Sequence, residues 1–328
     1  MKTNGCLEFL KHPDSDSEAE FVIIENHLVD KKTGRKYPIV QNMIDFQGGL
    51  NADAHKIKKG LLFKLNAFYS DHLDPWIRTS IFAVAGVGFI ITNRKMKRWI
   101  DQYVKSETLF IEPEDNRLIS YITPEKCLTV EDFAAKNVFP LESDYPNLNA
   151  SPEQLPVLSA SFQNIISNFV LEHVKNPRRH IQELERILKP GGYVILGGPG
   201  DIYPSHRVPY NYFNVIRYGY FEMFRENNLE LVEEYFPSKT WMSILYICYT
   251  TTVRNSWFNK NQFTKLLQMI VLGISLVISP FLNLLALLLD LVTPFDQRGY
   301  SVYMALLRKP VEGTSRGISH MGGNASSS

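Results

Sequence analysis

SFQNIISNFVLEHVKNPRRHIQELERILKPGGYVILGGPG, Ser161 to Gly200, is the stretch that decides the fold. Ile165 and Ile166 lie in a short apolar run that stops at Ser167-Asn168, as a buried strand does. From His180 the apolar positions are Ile181, Leu184, Ile187 and Leu188, spaced as one face of a helix. Lys189-Pro190-Gly191-Gly192 ends that helix: Pro190 cannot continue it, and either glycine takes φ > 0 without strain. Tyr193 to Leu196 is apolar almost throughout, the pattern of a parallel strand buried on both faces. Strand, crossover helix, turn and strand make one right-handed βαβ unit of an open α/β sheet.

Working outward, the chain of 328 residues is 45% hydrophobic and 21% charged, which suits a globular protein with an ample core. A net charge of +1 supplies no global field toward nucleic acid, and no nucleic-acid partner is expected. Cys6, Cys127 and Cys248 stand far apart without a CxxC pair. That spacing argues against a disulfide framework or a cysteine zinc site and for a reducing compartment. The N-terminus has no apolar core of a signal peptide, so none is expected.

Ser161-Phe162, Leu171-Glu172-His173, Asn176-Pro177 and Leu188-Lys189-Pro190-Gly191-Gly192 together resemble one block of the class I S-adenosylmethionine-dependent methyltransferases, the type-11-like domain. The block is the one from the fourth to the fifth strand. The resemblance implies a Rossmann-like sheet with helices on both faces over 108–309, with S-adenosylmethionine as cofactor. In the family the first strand leads through an acidic residue into a GxGxG loop, where the backbone approaches the cofactor. Here LFIEPEDNRL places Glu112, Glu114 and Asn116 at the glycine positions and Phe110 at the acidic one. Two carboxylates would then confront the carboxylate of the cofactor's methionine moiety. Lys126 to Val130 reads as the second strand, followed by Glu131 or Asp132 at the place of the ribose-binding acid. The same pair also reads as a solvated strand end. Ser151 falls where the family's adenine-side loop often has Asp, and Asn168 follows the fourth strand.

On the acceptor side, His173 is either a general base or a histidine bonded to backbone. Metal-using relatives carry ExxEH here. This chain has Phe169 at the first Glu place, so no metal is expected. GGPGDIYPSHRVPYNYFNVIRYGYFEMFREN resembles a sub-group associated with surface-polysaccharide functions, with His206, Pro209, Tyr210, Asn211 and Tyr212 at its motif positions. Asn211 replaces that sub-group's Asp. His206 and Tyr210 could bind a sugar or aromatic acceptor, or the tyrosines could cap the core.

Residues 1–47 read as a small β module with a Thr33-Gly34 turn. LVDKKTGRKYPIVQNMIDF resembles the zinc-ribbon-like module of tRNA-methyltransferase activators, but the ligand places hold His12, Ser15, Asp30 and Thr33, which implies a degenerate, metal-free form. Residues 48–107 form a helical connecting region. Ile81 to Thr92 suits a buried helix, although its basic flank Asn93 to Trp99 also suits a membrane surface. Leu229 to Phe236 and Gly299 to Leu307 read as the sixth and the antiparallel last strand.

Between those strands, 240–296 is an insertion whose run Met269 to Leu289 lacks any charge. Both its ends return to one sheet, and Pro280 and Asn283 are expected to break the run. The expectation is a re-entrant or monotopic helical hairpin entering a membrane from the cytoplasmic side. Its anchors would be Trp241, Tyr246, Tyr249, Trp257, Lys260 and Lys265. A buried helix pair or an oligomer interface is the other reading. Residues 310–328 suit a disordered tail. Two functions follow: a membrane-docked methyltransferase acting on a lipid-linked glycan or other amphiphile, or an inactive pseudo-methyltransferase serving as a membrane-bound scaffold or partner subunit.

Overall fold

A computed structural model describes residues 7–14, 19–40, 43–48, 86–111, 122, 127–132, 146–203, 210–252 and 262–311. The expected positions Ser15, Glu112, Glu114, Asn116 and His206 lie outside these residues, as do 49–85 and the tail from 312.

The strands run β1 (Phe21–Ile24), β2 (His27–Asp30), β3 (Lys36–Val40), β4 (Met43–Asp45), β5 (Thr108–Ile111), β6 (Cys127–Glu131), β7 (Asn147–Asn149), β8 (Phe162–Asn168), β9 (Leu188–Pro199), β10 (Glu230–Ser238) and β11 (Val302–Arg308). The helices are α1 (Gly86–Tyr103), α2 (Pro177–Ile187), α3 (Arg217–Glu226), α4 (Thr240–Thr252) and α5 (Gln262–Val292). One sheet holds all eleven strands in the order β1-β2-β3-β4-β7-β6-β5-β8-β9-β11-β10. β4 through β9 pair in parallel across the centre, and β11 lies antiparallel between β9 and β10. The N-terminal strands thus continue the main sheet, because Met43 to Asp45 pairs in register with Asn147 to Asn149.

Alternation along each strand sorts the core to two faces. Phe110, Ile166, Ile195, Met304 and Leu306 pack with Met96, Trp99 and Ile100 of α1. Leu109, Ile165, Val194, Leu196 and Leu307 pack with Ile181 and Leu184 of α2 and with Tyr220 and Phe224 of α3. Asn176 caps α2, its side chain accepting from the Arg179 N–H, with Pro177 in the first turn where its missing N–H costs nothing. The helix ends at Ile187, and Gly191 takes φ 79° in the bulged start of β9. Part of the basic flank of α1 faces protein. Trp99 is 1% exposed and donates its indole N–H to Glu233 at 2.8 Å, while Lys95 pairs with the same carboxylate. Arg94 and Arg98 of the same flank are exposed.

In the N-terminal strands, the Asp30 carboxylate accepts from the Thr33 hydroxyl at 2.7 Å and from the Lys32 N–H at 2.9 Å. Hydrogen bonds close the turn at this ligand position of the resembled ribbon, and the Thr33 bond leads in holding the Asp30 carboxyl below its usual pKa. His12 accepts from the Asp14 N–H.

The insertion departs from expectation. α5 runs unbroken through Pro280 and Asn283 for 31 residues. Pro280 removes one backbone hydrogen bond, but packing holds the helix together: Met242 and Tyr246 of α4 cluster with Ala286 of α5. Tyr246 is 9% exposed, so it is part of this interior and not an interfacial anchor. Trp241 is partly exposed, and its indole N–H donates to Thr293 at 2.9 Å. The side chains of Tyr249, Trp257, Lys260 and Lys265 lie outside the described residues. Among the described residues no helix is long and apolar enough to cross a membrane.

Candidate functional site

In the parallel strands the order reverses between β5 and β8, so the crevice at their carboxyl ends is where an open α/β sheet takes a ligand. The register aligns the residues of that edge: Ile111 with Ser167, Asn168 with Gly197, Pro199 with Val302, and Glu131 with Asn149.

On one side of the reversal stands a polar row. Glu131 ends β6, and its Oε1 accepts from the Asn147 amide at 3.1 Å. Asn149 donates to Asp45 of β4 at 2.7 Å, so the N-terminal strands brace this edge. Asp132 follows Glu131, half-buried. The Ser151 hydroxyl accepts from the Glu153 N–H at 3.3 Å and shapes the loop after β7.

That loop is held by residues absent from the sequence reading. His180 of α2 is fully buried: its Nδ1 bonds the Pro152 carbonyl at 2.9 Å and its Nε2 meets the Ser167 hydroxyl at 2.9 Å. The carbonyl can only accept, so Nδ1 carries the proton and Nε2 accepts from Ser167. Burial lowers the His180 pKa to about 4. Arg186 forms a two-bond pair with Glu183, at 2.9 Å for each bond, and donates to the carbonyls of Leu155 and Val157. Burial works against the Glu183 charge, but Arg186 outweighs it and the carboxyl stays below its usual pKa. The signal was in the sequence: His180, Glu183 and Arg186 recur every third residue beside the apolar stripe of α2.

On the other side of the reversal, the Asn168 amide oxygen is buried with no hydrogen-bond partner among the described residues. It lies against Gly197, where a Cβ would collide with it. Phe169 takes φ 56°, a strained value for a non-glycine residue, with its N–H donated to the Gly197 carbonyl at 2.9 Å. Glu172 is fully buried, and its carboxylate stands 3.9 Å from Nε2 of His173. His173 bonds the Tyr210 carbonyl through Nδ1 at 3.1 Å, and Tyr212 donates its N–H to the Glu172 carbonyl at 2.6 Å. His173 and Tyr210 are thus brought together, but through the Tyr210 backbone; the Tyr210 ring is 71% exposed and does not cap the core. Tyr220 donates to the Pro199 carbonyl at 3.2 Å. Burial first, then the Glu172 charge, pushes its phenol well above the usual pKa. Arg217, at the start of α3, makes a two-bond pair with Glu234, which makes it structural.

Residues 127–196 match a family described as a methyltransferase domain. The chain therefore holds a stretch similar to a methyltransferase domain, set in a sheet with Rossmann-like strand order. Three solved structures similar to it are a methyltransferase from Archaeoglobus fulgidus, an N1-methyltransferase from Burkholderia thailandensis and the YcgJ protein of Bacillus subtilis. The first, described as dependent on S-adenosylmethionine, is 11% identical over 75% of this chain and 99% of that one, with a TM-score of 0.43. The second, with 1,6-didemethyltoxoflavin and S-adenosylhomocysteine bound, is 12% identical over 89% and 100%, with a TM-score of 0.41. The third is 13% identical over 67% and 100%, with a TM-score of 0.40. No curated protein sequence matches the chain.

The described part of the methyltransferase domain fits the cofactor in chemistry. Glu131 and Asp132 offer carboxylates at the end of β6 for ribose hydroxyls, and the orphaned Asn168 oxygen offers an acceptor at the reversal. Among the described residues no group of three or more His, Cys, Asp or Glu could hold a metal ion.

Proposed function

We propose that this protein transfers a methyl group from S-adenosylmethionine to an amphiphilic acceptor, such as a lipid-linked glycan, while docked monotopically on the cytoplasmic face of a membrane. The observation that carries this reading is the inverted polarity of α5. Its inner face holds Ser279, Asn283 and Asp290, all buried. Its outer face exposes Ile270, Ile274, Val277, Phe281, Leu284 and Leu291, with Val277 80% and Leu291 77% exposed. No charge occurs between Lys265 and Asp290. A helix facing water has the opposite arrangement, so the outer face calls for an apolar medium. The outer residues also follow the spacing of a coiled-coil seam. A second copy is less favoured, because a seam in water is flanked by charges and this one is not.

When bound, the cofactor supplies an electrophilic methyl group on a sulfonium. In this reading Glu131 and Asp132 hold its ribose and Asn168 accepts from its ammonium. With Nδ1 donating to the Tyr210 carbonyl, Nε2 is the basic atom of a neutral His173. That atom is buried 3.9 Å from the Glu172 carboxylate, so His173 would act as a base only on an acceptor hydroxyl that enters between them. His206 and the exposed Tyr210 ring would bind the acceptor's head.

The second reading, an inactive scaffold or partner of an active enzyme, is favoured by Glu112, Glu114 and Asn116 at the glycine positions of the cofactor loop. Calorimetry with S-adenosylmethionine decides between the two: micromolar binding supports the enzyme, and none up to millimolar supports the scaffold. Flotation with phosphatidylcholine–phosphatidylglycerol vesicles tests docking. Protein that stays dimeric and does not float would move the outer face of α5 to a second copy.

A further inference from the structure

A polar cleft lies apart from the cofactor and acceptor positions, between α2, the loop after β7 and the segment before β1. We propose that it binds a soluble phosphate monoester with a polar body, and that this ligand ties the three segments together. The proposal depends on neither membrane docking nor methyl transfer.

The cleft has a volume of about 400 Å³, within the range of pockets that take small metabolites. α2 supplies one wall. Arg179, Gln182, Glu183 and Arg186 stand at i, i+3, i+4 and i+7, on one face of the helix. They span about 10 Å along its axis, longer than a lone phosphate. Gln154 lines the cleft from the loop, and Lys11 and Asp14 line it from the N-terminal segment. Hydrogen bonds hold these two walls together. The Lys11 N–H donates to the Pro156 carbonyl at 3.1 Å, the Leu158 N–H to the Phe9 carbonyl at 2.8 Å, and the Gln154 side-chain amide to the Pro13 carbonyl at 2.9 Å.

Charge decides the ligand. Both acids of the lining are already engaged: Glu183 accepts twice from Arg186 and once from the Leu155 N–H, and Asp14 pairs with Arg35. Arg186 in turn uses all five of its N–H groups within the protein. Arg179 differs. Its Nε donates to the Glu153 carbonyl at 3.3 Å, and among the described residues nothing accepts from its terminal nitrogens. The Glu153 carboxylate, beside the lining, is turned to the Lys175 N–H at 2.7 Å. Lys11 is only 7% exposed, an unusual place for a lysine. With Arg35 counted, four cations stand against two acids, an excess of two positive charges. A phosphate monoester carries about two negative charges at neutral pH and offers three acceptor oxygens, which the Arg179 fork can meet with paired bonds. A single carboxylate would leave half of the excess unmatched. A hydrocarbon tail would find little to cover it, since Pro13 is the sole apolar residue of the described lining. The apolar insertion also joins the sheet at β10 and β11, the opposite end from the N-terminal strands. Both observations favour a soluble ligand.

The test is calorimetry on the full chain with ribose 5-phosphate, inorganic phosphate and ribose as probes. Ribose 5-phosphate should bind, inorganic phosphate more weakly and ribose not at all. Arg179→Gln should weaken ribose 5-phosphate about tenfold, by removing the charged fork. Gln182→Glu, a change at an exposed helix position, should also weaken it, by placing a third acid in the cleft. Amide exchange over residues 153–158 should slow when the probe is bound. Ribose bound as tightly as its phosphate, or no binding of either up to about 10 mM, would overturn the site. Full affinity in both variants would place the probe elsewhere and overturn it as well. Binding that leaves amide exchange unchanged would overturn the tie between the segments. Dihexanoyl phosphatidic acid bound in place of ribose 5-phosphate would overturn the soluble source.

Discussion

The Asp290 carboxylate, near the end of α5, accepts the backbone N–H of Trp241 at 2.8 Å in the first turn of α4, and its other oxygen accepts that of Met242 at 3.2 Å. An acid near its own helix's C-terminus is unfavourable, but here it caps the N-terminus of the neighbouring helix. One buried residue thereby ties the two ends of the insertion together where they leave and rejoin β10 and β11.

Asp290→Ala should cost about 1–2 kcal/mol, since two helix-start donors lose their acceptor. Asp290→Asn should cost less, because the amide oxygen still accepts. Urea titration followed by tryptophan fluorescence checks both; equal stability of all three proteins would show that the cap contributes nothing.

Leu284→Glu with Leu288→Glu should abolish vesicle flotation without lowering the melting temperature, since both side chains are exposed, at 55% and 50%. Charge on a membrane-facing surface costs several kcal/mol, whereas the same change in water costs almost nothing. Unchanged flotation would contradict docking through this face.

His180 makes stability depend on pH. Its folded pKa, about 4, lies below the unfolded value near 6.5, so the unfolded chain binds the extra proton between them. The His180 contribution is therefore complete above about pH 6.5 and is lost as pH falls toward 4, by about 3 kcal/mol in all. His180→Gln should be less stable at neutral pH and show a shallower loss on acidification. Parallel slopes for the two proteins would rule out His180 as the titrating group.

Glu112→Gly with Glu114→Gly should tighten S-adenosylmethionine binding if the cofactor lies at the usual place, by removing two carboxylates from its own carboxylate. Calorimetry on both proteins reads this directly. A weaker complex would mean that the acids themselves hold the cofactor through its positive charges.

Glu233→Ala should cost about 1–3 kcal/mol, because the Trp99 indole N–H would stay buried without its acceptor and Lys95 would lose its partner. Thermal melts of the variant and wild type provide the comparison.

The sequence by itself determined the βαβ unit from Ser161 to Gly200, the strands on either side of the insertion, and the absence of charge along α5. Those are matters of local periodicity, in which each residue's burial follows from its place on a strand or helix face. The candidate cofactor positions Glu131, Asp132 and Asn168 were legible for the same reason: they end strands, and strand ends show in the pattern. What only the tertiary structure decided depends on contacts between distant segments. Asp45 braces Asn149, His180 reaches Pro152 and Ser167, and Trp99 finds Glu233. Pro280 stays helical because α4 supports its helix, and α5 turns its polar residues inward. Chain spacing says where a helix face lies; it does not say which face meets protein, because that depends on the shape of the partner surface.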